Sequence, residues 1–189
     1  MEKRRDFIRK SAIGTAGIAI GGIGFSSKSY ASIIGANERI KIGVIGIRNQ
    51  GRVHINNWCD IKDSHNVAIK TLCDADEELF ASRSKIVKEK TGENPLTEWD
   101  MQKVFDDKEI DAVSIVTPNH WHALATVWAC QAGKDVYVEK PSSHNVYEGR
   151  KMVEATMKYN RIVQSGICYR SSQAVKEGIK LVHDGILGK

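Results

Sequence analysis

The 189-residue chain carries 28 Lys and Arg residues against 23 Asp and Glu residues, a formal charge of +5, and 41% of its residues are hydrophobic. A chain of this length and composition can form one globular domain and part of another, but not two complete domains. Because six basic and only two acidic residues fall within residues 1–31, the remainder is nearly neutral, which argues against a nucleic-acid partner.

Residues 1–31 have the pattern of an export signal. A basic start precedes an apolar stretch rich in Gly and Ala (12–25), and Ser29-Tyr30-Ala31 offers a small-residue cleavage site. The Arg4-Arg5-Asp6-Phe7-Ile8 run resembles a twin-arginine signal, which predicts the twin-arginine translocase as a partner, a periplasmic location and export in the folded state. An uncleaved membrane anchor or a disordered basic tail is the alternative. Residues 32–39 are predicted to form a linker.

The four cysteines are too widely spaced to indicate a metal site or a disulfide framework. Two of them, Cys73 and Cys130, lie in apolar stretches. We therefore expect both to be small buried hydrophobic residues.

A glycine-spaced turn follows the first apolar run of the chain. Four of the six residues 40–45 are β-branched, which predicts a buried parallel strand: Ile40, Ile42, Val44 and Ile45. Gly46 and Gly51 bracket a turn that we expect to open a helix at about Arg52. Such a turn presents backbone N–H groups to a pyrophosphate. Arg48 occupies the middle position of the usual G-x-G-x-x-G pattern, so either the cofactor lies farther out or the arginine supplies a compensating cation. A plain strand-to-helix turn is the alternative.

An acidic residue ends the second predicted strand, 66–72. Asp74 lies at nearly the spacing at which a carboxylate accepts hydrogen bonds from the adenosine ribose, and it would repel a 2′-phosphate, which favours NAD over NADP. The alternative is that Asp74 or Asp76 caps the next helix.

Helices and strands then alternate, which predicts an α/β fold, a Rossmann-type doubly wound parallel sheet. The helix 145–159 is amphipathic and predicts Val146, Gly149, Met152, Val153 and Met157 on its inward face. The remaining predicted helices are 52–59, 76–90, 100–106, a stretch from about His122 to Ala132, and 172–183, and the remaining strands are 111–116, 135–138 and 162–165.

Two loops that follow predicted strands carry polar side chains. The first is Thr117-Pro118-Asn119-His120-Trp121-His122, and the second is Glu139-Lys140-Pro141. Because ligands bind beyond the carboxyl ends of parallel strands, both loops are expected at a ligand site, with Lys140 placed to meet a substrate hydroxyl. His120 and His122 would face different sides of a helix, so no metal site is predicted, and His122 is expected to cap or pack at the helix start.

These motifs together resemble the N-terminal half of a known family. The segments, in order, are GVIGIRNQG, CDAD, TPNHWHA, AGKDVYVEKP and QSG, followed by Arg170. In this order they are similar to the Gfo/Idh/MocA family of glucose-fructose oxidoreductase, inositol dehydrogenase and rhizopine catabolism proteins, over residues 40–189. The resemblance implies a nucleotide-binding domain over 40–168 and the start of an α+β substrate domain over 169–189.

The resemblance also implies chemistry. It predicts an NAD(P)-dependent oxidoreductase acting on hydroxyl groups of sugars, polyols or glycosides, with NAD as cofactor, NADP possible, and homo-oligomers when full length. Lys140 is the predicted catalytic residue, which orients and polarises the reacting hydroxyl. In proteins of this family the peptide bond between the corresponding lysine and proline is often cis. The predicted cofactor-binding residues are Gly46, Arg48, Asn49, Gly51, Asp74, Thr117, Pro118, Asn119, His122, Glu139 and Lys140.

Three other functions stay open at this point. The same family chemistry permits glycoside hydrolysis or lysis through transient oxidation, and the residues up to 189 do not separate it from dehydrogenation. A non-catalytic nucleotide-binding protein is a second alternative, because a sheet that would exclude water from the site is absent from these residues. A methyltransferase-like Rossmann protein is a third, but it gives no reason for the Glu139-Lys140-Pro141 motif.

Overall fold

The computed structural model describes residues 39–186 and Gly188. Six parallel strands form its sheet: β1 (Ile40–Ile45), β2 (Val67–Cys73), β3 (Leu96–Glu98), β4 (Ala112–Ile115), β5 (Asp135–Glu139) and β6 (Val163–Gly166). They lie in the order β3-β2-β1-β4-β5-β6. The predicted Rossmann-type doubly wound parallel sheet is therefore confirmed.

Seven α-helices and one 3₁₀-helix are seen in the described residues. They are α1 (Asn49–Asp60), α2 (Lys62–His65), α3 (Glu78–Thr91), α4 (Met101–Asp106), α5 (Asn119–Gln131), α6 (Val146–Tyr159), a 3₁₀-helix (Cys168–Ser171) and α7 (Gln173–His183). The chain runs outward from β1 to β3 and then returns to β4 on the other side of β1. In such sheets the crevice at this reversal, beyond the carboxyl ends of the strands, is the place where ligands bind.

Apolar side chains of β1 enter a core on each face of the sheet. Ile42 and Val44 pack with Ile55 of α1 on one face, whereas Ile45 packs with Ile115 on the other. All five are almost fully buried. Burial of one such side chain contributes about 1.5–3 kcal/mol, so β1 is anchored from both sides.

Three local features differ from the sequence prediction. Helix α1 begins at Asn49, three residues before Arg52, because Gly51 lacks a side chain and lets the first helical turn close onto Gly46. Strand β3 and helix α2 were missed, since segments of three and four residues are too short to show periodicity.

The predicted inward face of α6 is wrong in large part. Met152 is buried at 5% exposure, but Val146, Val153 and Met157 are 91%, 48% and 77% exposed. Helix α6 lies beside the edge strand β6, and Gly149, Val153 and Met157 line a groove there instead of entering the core.

The predicted export signal lies outside the described residues, as does the linker except for Arg39. Among the helices that the structure describes, none is long and apolar enough to span a membrane. Cys73 and Cys130 are buried free thiols, as predicted. Burial, reinforced by the neighbouring Asp74 carboxylate, raises the pKa of Cys73 to about 12.

Candidate functional site

The sheet order brings the predicted site residues to one edge. Strands β2, β1, β4 and β5 are neighbours and parallel, so their carboxyl ends place Asp74, Gly46, Thr117 and Lys140 in consecutive positions along that edge. Residues far apart in the chain thus surround the crevice where the strand order reverses.

Two glycines shape the turn between β1 and α1. Gly46 has a φ of +85°, and a Cβ there would stand 2.6 Å from the carbonyl carbon of Val116. A Cβ on Gly51 would stand 2.0 Å from the Gly46 oxygen. Both positions therefore require glycine, and the cradle that they form brings the first N–H groups of α1 to the crevice, where they suit a pyrophosphate.

Arg48, in the middle of this turn, has a φ of −72°, so it lies outside the left-handed region that favours glycine. Its guanidinium pairs with the carboxylate of Asp76. Arg83 of α3 donates to the carbonyl oxygens of Ile47, at 2.8 Å, and of Arg48, at 3.4 Å. The carbonyl groups of the turn are thus bound by the protein, and Arg48 is engaged with an acidic partner.

Asp74 supports the turn directly. One of its oxygens accepts a hydrogen bond from the backbone N–H of Ile47, at 2.8 Å, and the other accepts from the N–H of Asp76, at 3.0 Å. At the start of helix α3, the Glu78 N–H donates a hydrogen bond to the Asp76 carboxylate, at 3.2 Å. A cavity of about 300 Å³ opens beside Asp74 and is lined by Gly46, Cys73, Ala75, Trp99, Met101, Thr117, Pro118 and Trp121.

The loop after β4 carries a buried hydroxyl beside this cavity. The Oγ1 atom of Thr117 is buried and has no hydrogen-bond partner within residues 39–186. A buried polar group normally has a partner, so this atom fits a hydrogen bond from a ligand. Together with the glycine cradle, it shows that the residues present suit a dinucleotide. Pro118 and Asn119 lie exposed at the start of α5, and so does Asn49 at the start of α1.

His122 lies beneath this loop and is 1% exposed. Its Nδ1 atom is 2.7 Å from the carbonyl oxygen of Pro141, and its Nε2 atom is 2.8 Å from that of Thr117. The imidazole therefore packs at the helix start and joins the two site loops. Across the part of the chain that the structure describes, no group of three His, Cys, Asp or Glu residues could hold a metal ion.

Glu139 and Lys140 follow β5, and the peptide bond between Lys140 and Pro141 is cis. Lys140 is exposed at the crevice, whereas Glu139 is 8% exposed and hydrogen-bonded by the protein. Its Oε1 atom lies 3.0 Å from Nε2 of His54 and accepts from Gln50 at 3.1 Å, and its Oε2 atom accepts from the Lys140 N–H at 2.9 Å. Nδ1 of His54 lies 2.9 Å from the hydroxyl of Ser114.

Burial alone would raise the pKa of Glu139. The hydrogen bonds from His54, the Lys140 N–H and Gln50 outweigh burial and hold that pKa below its ordinary value, so Glu139 is a carboxylate. The sequence did not single out Gln50, His54 and Ser114 as site residues. The available signal was His54, a polar residue next to Ile55 on a predicted helix that must bury one face.

Known proteins are similar to this chain in sequence and in fold. The sequence profile of the Gfo/Idh/MocA family, described as an oxidoreductase family with an NAD-binding Rossmann fold, matches residues 40–167. Levoglucosan dehydrogenase of Pseudarthrobacter phenanthrenivorans is 31% identical over 121 residues, which are 64% of this chain and 30% of that protein. A glycosyl hydrolase family 109 protein of Saccharopolyspora erythraea is 26% identical over 203 residues, covering 98% of this chain and 43% of that protein.

A solved structure agrees with the sequence matches. The structure of levoglucosan dehydrogenase in complex with NADH and levoglucosan superposes with a TM-score of 0.68 at 26% identity, over 80% of this chain and 41% of that one. The chain thus spans less than half the length of each of these relatives. From the family profile and this fold, the chain belongs to the Gfo/Idh/MocA oxidoreductases and contains their NAD-binding Rossmann domain.

Proposed function

We propose that this chain is the nucleotide-binding half of an exported NAD-dependent oxidoreductase that acts on a hydroxyl group of a sugar-like substrate, a sugar, polyol or glycoside. The observation that carries the proposal is the position of Lys140 on the same sheet edge as the Gly46–Gly51 cradle. A dinucleotide held by the cradle extends along this edge, which brings its reactive end toward the lysine.

Each part of the edge has a role in this proposal. The first N–H groups of α1 bind the pyrophosphate, the Asp74 carboxylate accepts hydrogen bonds from the adenosine ribose, and the Thr117 hydroxyl bonds to the bound nucleotide. NAD, when bound, supplies the acceptor for a hydride. The Lys140 ammonium donates a hydrogen bond to the substrate hydroxyl oxygen and stabilises the negative charge that develops there as the hydroxyl proton passes to solvent water.

The charges near the ribose favour NAD over NADP. The Asp74 carboxylate would repel a 2′-phosphate, and two guanidinium groups at the turn are already engaged, that of Arg48 with Asp76 and that of Arg83 with backbone carbonyl oxygens. A phosphate in this position would have to compete with Asp76 for the Arg48 guanidinium.

The test is a titration of the 189-residue chain with NADH and NADPH, followed by tryptophan fluorescence. Trp99 and Trp121 line the cavity, so binding there should quench them. We expect saturable binding that favours NADH. In Asp74→Asn we expect NADH to bind about tenfold more weakly, the effect of one charge-assisted hydrogen bond, and the preference over NADPH to shrink.

Asp76→Asn is the matched control, because it changes a carboxylate two residues away that does not contact the Ile47 N–H. It should keep NADH affinity within about threefold of the wild type, as expected for a surface ion pair. Absence of nucleotide binding in folded wild-type chain would contradict the proposal, and unchanged affinities in Asp74→Asn would contradict the ribose assignment.

A second candidate activity is glycoside cleavage through transient oxidation. The match that supports it is the glycosyl hydrolase family 109 relative, whose alignment covers 98% of this chain. The two activities differ in redox balance, since a dehydrogenase forms one NADH per substrate whereas the cleavage reaction returns its hydride. Incubation with NAD and nitrophenyl glycosides therefore separates them: nitrophenol release without net NADH indicates cleavage.

Export is a separate part of the proposal and rests on residues 1–31. A periplasmic location is testable with a reporter fused after Ala31. We expect the wild-type leader to export a folded reporter and the Arg4→Lys, Arg5→Lys double variant to retain it in the cytoplasm. Export that survives this change would contradict the twin-arginine assignment.

A further inference from the structure

A polar cluster lies in the otherwise apolar layer between α1 and the sheet. His54 is 6% exposed and Ser114 is fully buried, and His54 precedes Ile55, which belongs to the core. Burying polar groups costs free energy, and a well-packed apolar side chain would fill the same space without that cost. The cluster therefore calls for an explanation beyond packing.

The cluster connects two parts of the candidate site. Helix α1, which carries Gln50 and His54 four residues apart, starts at the glycine cradle. Both side chains reach one oxygen of Glu139, and the other oxygen accepts from the N–H of Lys140. A continuous chain of hydrogen bonds thus runs from the phosphate-facing helix to the backbone of the proposed catalytic lysine.

Both carboxylate oxygens of Glu139 have hydrogen-bond partners within the protein. The two oxygens accept from His54, Gln50 and the Lys140 N–H. Because His54 also contacts Ser114 on β4, the imidazole is fixed at both nitrogens and cannot rotate without breaking one contact. Lys140 consequently extends from a backbone held at a fixed distance from α1, while its own side chain is exposed at the crevice.

We propose that His54, assisted by Gln50, is a positioning residue for Lys140. It holds Glu139, and through Glu139 the Lys140 backbone, in register with the helix that binds the cofactor phosphates. This inference rests on the proposed function, in which the Lys140 ammonium lies beside the nicotinamide and the substrate hydroxyl.

The position of the ammonium is measurable from cofactor binding alone. The nicotinamide ring is cationic in NAD⁺ and neutral in NADH, so a nearby ammonium weakens binding of NAD⁺ relative to NADH. For charges about 6 Å apart in a largely aqueous site, the ratio Kd(NAD⁺)/Kd(NADH) should fall about three- to tenfold in Lys140→Met. A general loss of structure weakens the binding of NAD⁺ and of NADH by the same factor and leaves the ratio of their dissociation constants unchanged.

Two amide substitutions at His54 form a matched pair. The side-chain nitrogen of Gln can replace Nε2 and still donate to Glu139, whereas the shorter Asn replaces Nδ1 and cannot reach Glu139. We expect His54→Asn to lower the ratio of the two dissociation constants as Lys140→Met does, and His54→Gln to keep it within about twofold of the wild type. In Gln50→Met, which removes the other donor to Oε1, we expect a smaller decrease in the same direction.

The outcomes separate this inference from the function on which it rests. If Lys140→Met lowers the ratio but His54→Asn does not, the positioning role is wrong and the proposed function stands. If Lys140→Met leaves the ratio unchanged, the lysine is not beside the nicotinamide and the inference falls. If the wild-type chain binds neither nucleotide, both fall. If His54→Asn fails to fold, the Gln50→Met variant provides the test, because Gln50 is exposed and its replacement should not prevent folding. An unchanged ratio of the two dissociation constants in Gln50→Met then overturns the inference.

Discussion

Adding one methyl group at Gly51 tests the glycine cradle directly. In Gly51→Ala the new carbon would stand 2.0 Å from the Gly46 oxygen and 2.8 Å from the Gly46 carbonyl carbon. Since nonbonded carbon atoms prefer separations of about 3.5–4.0 Å, α1 must move away from the turn by about 1.5 Å. Overpacking of this kind costs about 1–3 kcal/mol, of which the better helix propensity of Ala recovers about 1 kcal/mol.

The expected result is a lower urea midpoint together with a loss of NADH affinity of at least about tenfold, because the helix N-terminus no longer meets the pyrophosphate. Gly178→Ala is the control. Gly178 also lies within a helix, α7, and a Cβ there meets nothing within 4 Å. That variant should gain about 0.5–1 kcal/mol and bind NADH normally. A Gly51→Ala chain that behaves like Gly178→Ala in both assays would refute the cradle.

Three more predictions concern buried polar groups. Glu139→Gln should lower the free energy of unfolding at pH 7 by about 1–3 kcal/mol. Because the folded-state pKa lies below the ordinary 4.5, this difference from the wild type should persist above pH 4.5 and disappear as the pH falls through the folded-state value, as pH-dependent urea unfolding would show. Lys134→Met should destabilise the chain by about 1–3 kcal/mol, because the Lys134 ammonium donates hydrogen bonds to the carbonyl oxygens of Asp107, at 2.6 Å, and Ile110, at 2.8 Å. The urea midpoint of unfolding measures this loss, and an unchanged midpoint would contradict it. A thiol reagent should modify the exposed Cys168 in the native chain, whereas Cys73, with its pKa of about 12, should react only after unfolding, and mass spectrometry of the labelled peptides separates the two.

The parts of the fold set by local pattern were predictable from sequence. Strand β1 places β-branched side chains on both faces of the sheet. Gly46 and Gly51 mark the turn, because the close approach of neighbouring backbone requires glycine at both positions. The bonds between His54 and Glu139 were not predictable, since the two residues are 85 positions apart and meet only after β1, β4 and β5 have paired. The prediction for the edge helix α6 was wrong because the burial of its side chains also depends on which elements pack beside it. The outer positions of α6, such as Met157, look apolar in sequence but stay exposed in a groove beside the last strand.

The bridge made by His122 has a consequence for engineering. The buried imidazole lies between the carbonyl oxygens of Pro141 and Thr117, at 2.7 and 2.8 Å from its two ring nitrogens, so the segments that follow β4 and β5 pack on one shared side chain. Grafting either segment alone from a relative would leave a buried imidazole facing a mismatched backbone. Exchanges meant to alter substrate preference should therefore move both segments and the histidine together.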